Sequence, residues 1–70
     1  MKAFILLDND NSFLSAHSSI RKAEAEAKTY GEIAPDDLTI REVDLETGHV
    51  IAHWDYDTSR GIYVCSSLNI

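Results

Sequence analysis

The chain has 70 residues, 44% of them hydrophobic, and its twelve acidic and six basic residues leave a formal net charge of −6. This length allows one domain, predicted to span residues 1–70, and the apolar content is typical of a folded protein. The acidic balance argues against direct nucleic-acid binding, and a single cysteine excludes an internal disulfide.

The first predicted element is an apolar strand over residues 2–7. The run is too short for a signal peptide or a membrane span, so we expect a cytoplasmic protein with no membrane partner. Residues 8–11 favour a turn. Residues 12–18 fit either a second strand closing a hairpin or the start of a longer helix, and their serines favour the strand.

An alanine-rich helix is predicted from Ser19 to Tyr30. Ser18 is a suitable N-cap, and Gly31 is a typical helix terminator. A loop over residues 32–37 follows.

A β-hairpin is predicted over residues 38–56, with Glu46-Thr47-Gly48 as its loop and Gly48 in the left-handed conformation. The predicted cross-strand pairs are Leu45 with His49, Ile40 with Trp54, and Leu38 with Tyr56. One face would then be the core side, with Leu38, Ile40, Val50, Ala52, Trp54 and Tyr56. The opposite face would have Thr39, Arg41, Val43, Ile51, His53 and Asp55.

A second turn over residues 57–61 leads into a last strand over residues 62–66. These elements predict an α+β fold in which one helix packs on an antiparallel sheet of four or five strands. The order is ββαβββ, or βαβββ with a longer helix if residues 12–18 are helical.

The patterns of catalytic, metal and cofactor sites are not found in the sequence. Asp8, Asp10 and Ser12 have the spacing that opens a calcium loop, but Phe13 and Ser19 replace its glycine and glutamate. The histidines and Cys65 lack the closely spaced ligand pairs of zinc sites. We therefore predict no catalytic residues, no metal and no cofactor, and we do not expect an enzyme.

The net charge comes from residues 36–57, where seven carboxylates accompany one basic residue, while five acids balance five bases elsewhere. Such a segment either keeps the protein soluble or docks a basic protein. The predicted hairpin places acids at both of its ends, as two separate clusters. The candidate partner-binding residues are Asp36, Asp37, Glu42, Asp44, Asp55 and Asp57.

Three segments have the layout of a known group of small proteins: Met1-Lys2-Ala3-Phe4-Ile5-Leu6-Leu7, Ser18-Ser19-Ile20-Arg21-Lys22-Ala23, and Ile40-Arg41-Glu42-Val43 continued by Gly48-His49-Val50-Ile51-Ala52-His53-Trp54. The chain resembles one group of phage-encoded anti-CRISPR inhibitors. The resemblance implies a five-stranded antiparallel sheet with one helix, and inhibition without chemistry at the nucleic-acid-binding surface of a CRISPR surveillance complex. Those proteins also use basic residues for binding, whereas this hairpin is acidic, so no contact residues are carried over.

The leading functional prediction is a non-enzymatic protein-binding module whose partner is a basic protein or nucleoprotein complex of host defence. The alternative is a self-associating or antitoxin-like regulatory subunit, a homodimer that pairs through a sheet edge.

Overall fold

The computed structural model describes residues 1–30 and 37–68, and the side chains of residues 1–30 and 37–65. The predicted helix terminator Gly31, most of the predicted loop 32–37 and the candidate Asp36 lie outside the described residues.

The described residues form one helix and five strands in the order ββαβββ, which confirms the predicted α+β fold. Residues 13–17 are a strand, so the shorter of the two predicted helices is correct. The elements are β1 (Lys2–Leu7), β2 (Phe13–His17), α1 (Ile20–Ala27), β3 (Thr39–Asp44), β4 (Val50–Asp57) and β5 (Ile62–Leu68). The strands form a single antiparallel sheet in the order β2-β1-β3-β4-β5, so β2 and β5 are its edges.

The helix α1 is shorter than the sequence predicted. Its N-cap is Ser19 rather than Ser18, because the Ser19 hydroxyl accepts a 3.2 Å hydrogen bond from the backbone N–H of Lys22. An eight-residue helix is not stable alone. It is held by Ala23 and Ala27, which are fully buried and small enough to bring the helix close to the sheet.

The core lies between α1 and one face of the sheet. Aliphatic side chains from β1 and β3 meet the two helical alanines there, and the aromatic residues of β4 and β5 complete the layer, as predicted for the hairpin. The Tyr56 and Tyr63 rings meet edge to face, with centroids 5.2 Å apart. The fully or almost fully buried members are Leu6, Ala23, Ala27, Leu38, Ile40 and Tyr63.

The loop of the β3–β4 hairpin is one residue longer than predicted. The N–H of Asp44 donates to the carbonyl of His49 at 2.9 Å, so Leu45 belongs to the loop rather than pairing with His49. Gly48 has a φ of 76°, the left-handed conformation that the sequence predicted.

A bulge restores the predicted register beyond the loop. Ile40 pairs with Trp54 as predicted, but nearer the loop Val43 pairs with Val50, which leaves Ile51 as the extra residue on β4. Paired residues of an antiparallel sheet point to the same side. The bulge therefore moves Val50 away from the predicted core face, and this part of the prediction is wrong.

The helix also reaches the far edge of the sheet. The Glu24 carboxylate accepts a 2.9 Å hydrogen bond from the backbone N–H of Tyr63 on the edge strand β5. A side chain of α1 thus satisfies a backbone donor of β5, as edge strands in soluble proteins commonly require.

Candidate functional site

The face of the sheet that points away from α1 is called the open face. It follows from strand alternation: Leu6 and Ile40 pair and are buried under the helix, so their neighbours along β1 and β3 point to the other side. The open face comprises Ala3, Ile5, Leu7, Phe13, Ala16, Thr39, Arg41, Val43, Val50, His53, Asp55, Asp57, Ile62 and Val64, of which Leu7 is buried.

Apolar side chains occupy the centre and both margins of the open face. Ile5, Val43 and Val64 are half-buried. Phe13 on β2 is 64% exposed and Ile62 on β5 is 41% exposed, at the two margins of the face. The open face is thus an apolar surface that α1 does not cover.

Three of the predicted partner-binding acids lie together at one end of this face. Asp55 is exposed and pairs with Thr39, and Asp57 lies two residues further along β4 on the same face. Asp37 lies just before β3, two residues from Thr39, and so is near the same end. Asp37 is exposed, while Asp57 is half-buried. Asp37, Asp55 and Asp57 are called the acidic end.

Glu42 is not displayed on the surface, contrary to the expectation from sequence. It shares the helix-covered face with Ile40 and is only 7% exposed. Its carboxylate lies 2.8 Å from the Lys2 ammonium and accepts a 3.2 Å hydrogen bond from the Trp54 indole N–H. This buried, paired carboxylate is structural and belongs to no docking surface.

Asp44 also has a local structural role. Its carboxylate accepts a 2.9 Å hydrogen bond from the backbone N–H of Glu46, so it holds the hairpin loop. Because Glu42 is buried, the second predicted acidic cluster is not assembled. The acidic end is the part of the predicted site that the structure brings together.

Arg41 is a residue of the open face to which the sequence assigned no role. It pairs with Ile5 on one side and His53 on the other, and its guanidinium donates a 3.2 Å hydrogen bond to the Asn11 side chain. The alternation of β3 already placed Arg41 on this face. That Arg41 lies beside β1 can be known only from the order of the strands in the sheet.

The stability of the fold is expected to depend on pH through Asp57. The Ser59 hydroxyl is the largest cause that lowers the pKa of Asp57 below 3.8, and further hydrogen bonds and the Arg60 charge act in the same direction. When folding lowers the pKa of a carboxyl group, the group stabilises the fold at every pH above its unfolded-state pKa. That stabilisation is lost as the pH falls through the folded-state pKa. We expect Asp57→Asn to reduce the loss of stability below pH 3.8, measured by thermal unfolding against pH.

Ser59→Ala is the matched control for this effect, because it removes the largest cause while keeping the carboxylate. It should reduce the acid loss in the same direction but less. Identical pH profiles of wild type and Asp57→Asn would contradict the assignment.

An open groove of about 630 Å³ crosses the other end of the sheet. It is mainly apolar and lies near the hairpin loop. Beside it, the Ser15 hydroxyl and His17 Nε2 are 2.8 Å apart on β2. The groove is lined by Met1, Lys2, Ala3, Phe4, Ala16, His17, Ser18 and Leu45.

Comparison with protein-family models, curated proteins and solved structures finds no match for the chain. Within residues 1–30 and 37–68, no three histidine, cysteine or acidic residues are grouped so as to hold a metal ion. No helix of the described part is long and apolar enough to cross a membrane. The site is therefore characterised by its geometry alone.

Proposed function

We propose that the chain is a non-enzymatic protein-binding module that presents the acidic end of its open face to a basic protein surface. More specifically, we propose that the partner is a host defence complex. The chain would occupy the nucleic-acid-binding surface of that complex, as anti-CRISPR inhibitors do. The observation that carries the proposal is the position of exposed carboxylates at the end of an apolar sheet face that no described element covers.

This combination matches the anatomy of protein interfaces. Their centres exclude water with apolar side chains, and their rims are polar. The half-buried side chains of Ile5, Val43 and Val64 supply apolar area, and Asp37 and Asp55 supply charge beside it. Charge of one sign accelerates encounter with a partner of the opposite sign.

The experiment tests the acidic end by charge reversal. We expect the wild-type chain to compete with labelled DNA for purified CRISPR surveillance complexes, and Asp37→Lys/Asp55→Lys to compete at least about tenfold less well. The expected reason is that two attractive charges become repulsive at the rim. Competition is measured by fluorescence anisotropy, and its salt dependence should also fall in the variant.

Glu46→Lys is the matched control for the single variant Asp55→Lys, since it makes the same charge change on an exposed residue of the hairpin loop, away from the acidic end. It should compete almost as well as wild type. Equal loss in Glu46→Lys and Asp55→Lys would show a non-specific effect of net charge. Unchanged competition by a folded double variant would refute the role of the acidic end.

A further inference from the structure

The open face carries two opposite charges that are not joined to each other. Among the ion pairs of the described residues, none links Arg41 to Asp55. The two residues lie on neighbouring strands and are offset by two positions, because Asp55 pairs with Thr39 while Arg41 pairs with His53. Strand spacing and rise place their Cα atoms about 8 Å apart.

We propose that the open face binds a second copy of this chain, forming a symmetric dimer in which Arg41 of each copy pairs with Asp55 of the other. A twofold axis that lies between two facing sheets, perpendicular to the line from Arg41 to Asp55, exchanges the two positions. One symmetry operation then forms both ion pairs, as a self-complementary interface requires.

The apolar residues of the open face support the same arrangement. Ile5, Val43 and Val64 surround the charged pair, and the exposed Phe13 and Ile62 mark the two margins. Packing two such faces removes these side chains from water, in the way that the inner faces of a β-sandwich cover each other.

The area of the open face indicates how much surface the dimer buries. Five strands about 4.8 Å apart and about 17 Å long cover roughly 400 Å² per copy. Two copies then bury about 800 Å², which is less than the roughly 1,200 Å² of a stable specific interface and is typical of weak contacts. The dimer is therefore weak and reversible, in equilibrium with the monomer.

Self-association through the open face is favoured over pairing through the β5 edge of the sheet. On the edge strand β5, the backbone N–H of Tyr63 is already bound by the Glu24 carboxylate. A pairing strand would have to displace this side chain, whereas the open face needs no rearrangement.

The test is sedimentation equilibrium of the purified chain between about 10 μM and about 1 mM, a range suited to a weak interface. The wild-type average mass should rise towards that of two chains. Arg41→Asp and Asp55→Arg should each raise the dissociation constant about tenfold or more, because each puts like charges opposite one another. The double variant with both substitutions should recover most of the wild-type affinity.

Asn11→Gly is the matched control. It removes the amide that accepts from Arg41, and glycine suits the positive φ of 63° at this position. This variant should dimerise like wild type, and circular dichroism checks that every variant is folded.

Three results would overturn the proposal: a wild-type chain that stays monomeric at about 1 mM, single variants that dimerise like wild type, or a double variant that does not recover. The measurement uses the purified chain alone, so its outcome is independent of the proposed basic partner. If both proposals hold, dimerisation covers Asp55 and the partner binds the monomer.

Discussion

Replacing Leu6 by alanine is expected to lower the free energy of unfolding by about 2 to 5 kcal/mol. Leu6 is fully buried on β1, where it pairs with Ile40 on one side and Ser15 on the other, under α1. A domain of this length has a total stability of only about 4 to 10 kcal/mol. The loss is therefore a large part of the total, and urea unfolding followed by circular dichroism measures it.

Ile5→Ala is the matched control for Leu6→Ala. Ile5 is the neighbouring residue on β1 but points to the open face and is only half-buried. Its truncation should cost about 1 kcal/mol, because part of its surface is already in water. Dilute protein must be used, so that the proposed dimer does not cover the residue. Equal losses in the two variants would contradict the assignment of the covered and open faces.

Glu42→Ala is expected to lower the free energy of unfolding by about 1 to 3 kcal/mol. The substitution removes the acceptor of the Trp54 indole N–H and the partner of the Lys2 ammonium from a position that is almost fully buried. An unpaired polar group in the interior accounts for most of the expected cost. Urea unfolding gives the free energy, and the fluorescence of Trp54, the single tryptophan of the chain, reports on the local change.

Glu42→Gln separates the hydrogen bond from the charge. Hydrogen bonding to Glu42 is the largest cause that raises the pKa of Lys2 above 10.5, followed by the Glu42 charge. When folding raises the pKa of an amine, the amine stabilises the fold at every pH below its unfolded-state pKa. That stabilisation is lost as the pH rises through the folded-state pKa. The wild type should therefore lose stability above pH 10.5, and Glu42→Gln should lose less.

The glutamine variant retains an acceptor for Trp54, so its stability at neutral pH should lie between those of wild type and Glu42→Ala. Unfolding curves of Glu42→Ala that coincide with those of wild type would mean that the carboxylate is displayed to solvent, as the sequence prediction had it.

Local patterns predicted most of the fold correctly. The alternation along residues 38–41 and 52–56 identified the core side of the hairpin, because the side chains of a strand point to opposite faces in turn. Gly48 located the loop, since a left-handed residue is needed there. The helix N-cap and the loop length were each wrong by one residue, because several neighbouring residues satisfy the same local rule. The helix end was wrong by three residues, since α1 stops at Ala27 rather than Tyr30, and the end of the last strand by two.

The candidate site was predicted less completely. The hairpin register predicted the position of Asp55, and Asp57 lies on the same face of β4, while Asp37 lies just before β3 at the same end. The alternation also places Glu42 on the same face as Ile40, but its role depends on Lys2, which lies on another strand 40 positions earlier. Contacts between residues so distant in the chain leave no periodic signal in the sequence.

The sequence by itself determined the strand and helix periods, the turn at Gly48 and the excess of negative charge in residues 36–57, because each depends on residues that are near one another in the chain. Only the tertiary structure decided which carboxylates are displayed. The insertion of β1 between β2 and β3 brings Lys2 to Glu42 and Ile5 beside Arg41, and α1 covers one face and leaves the other open. Strand order and helix docking depend on the packing of the whole domain, which no short segment of the chain specifies.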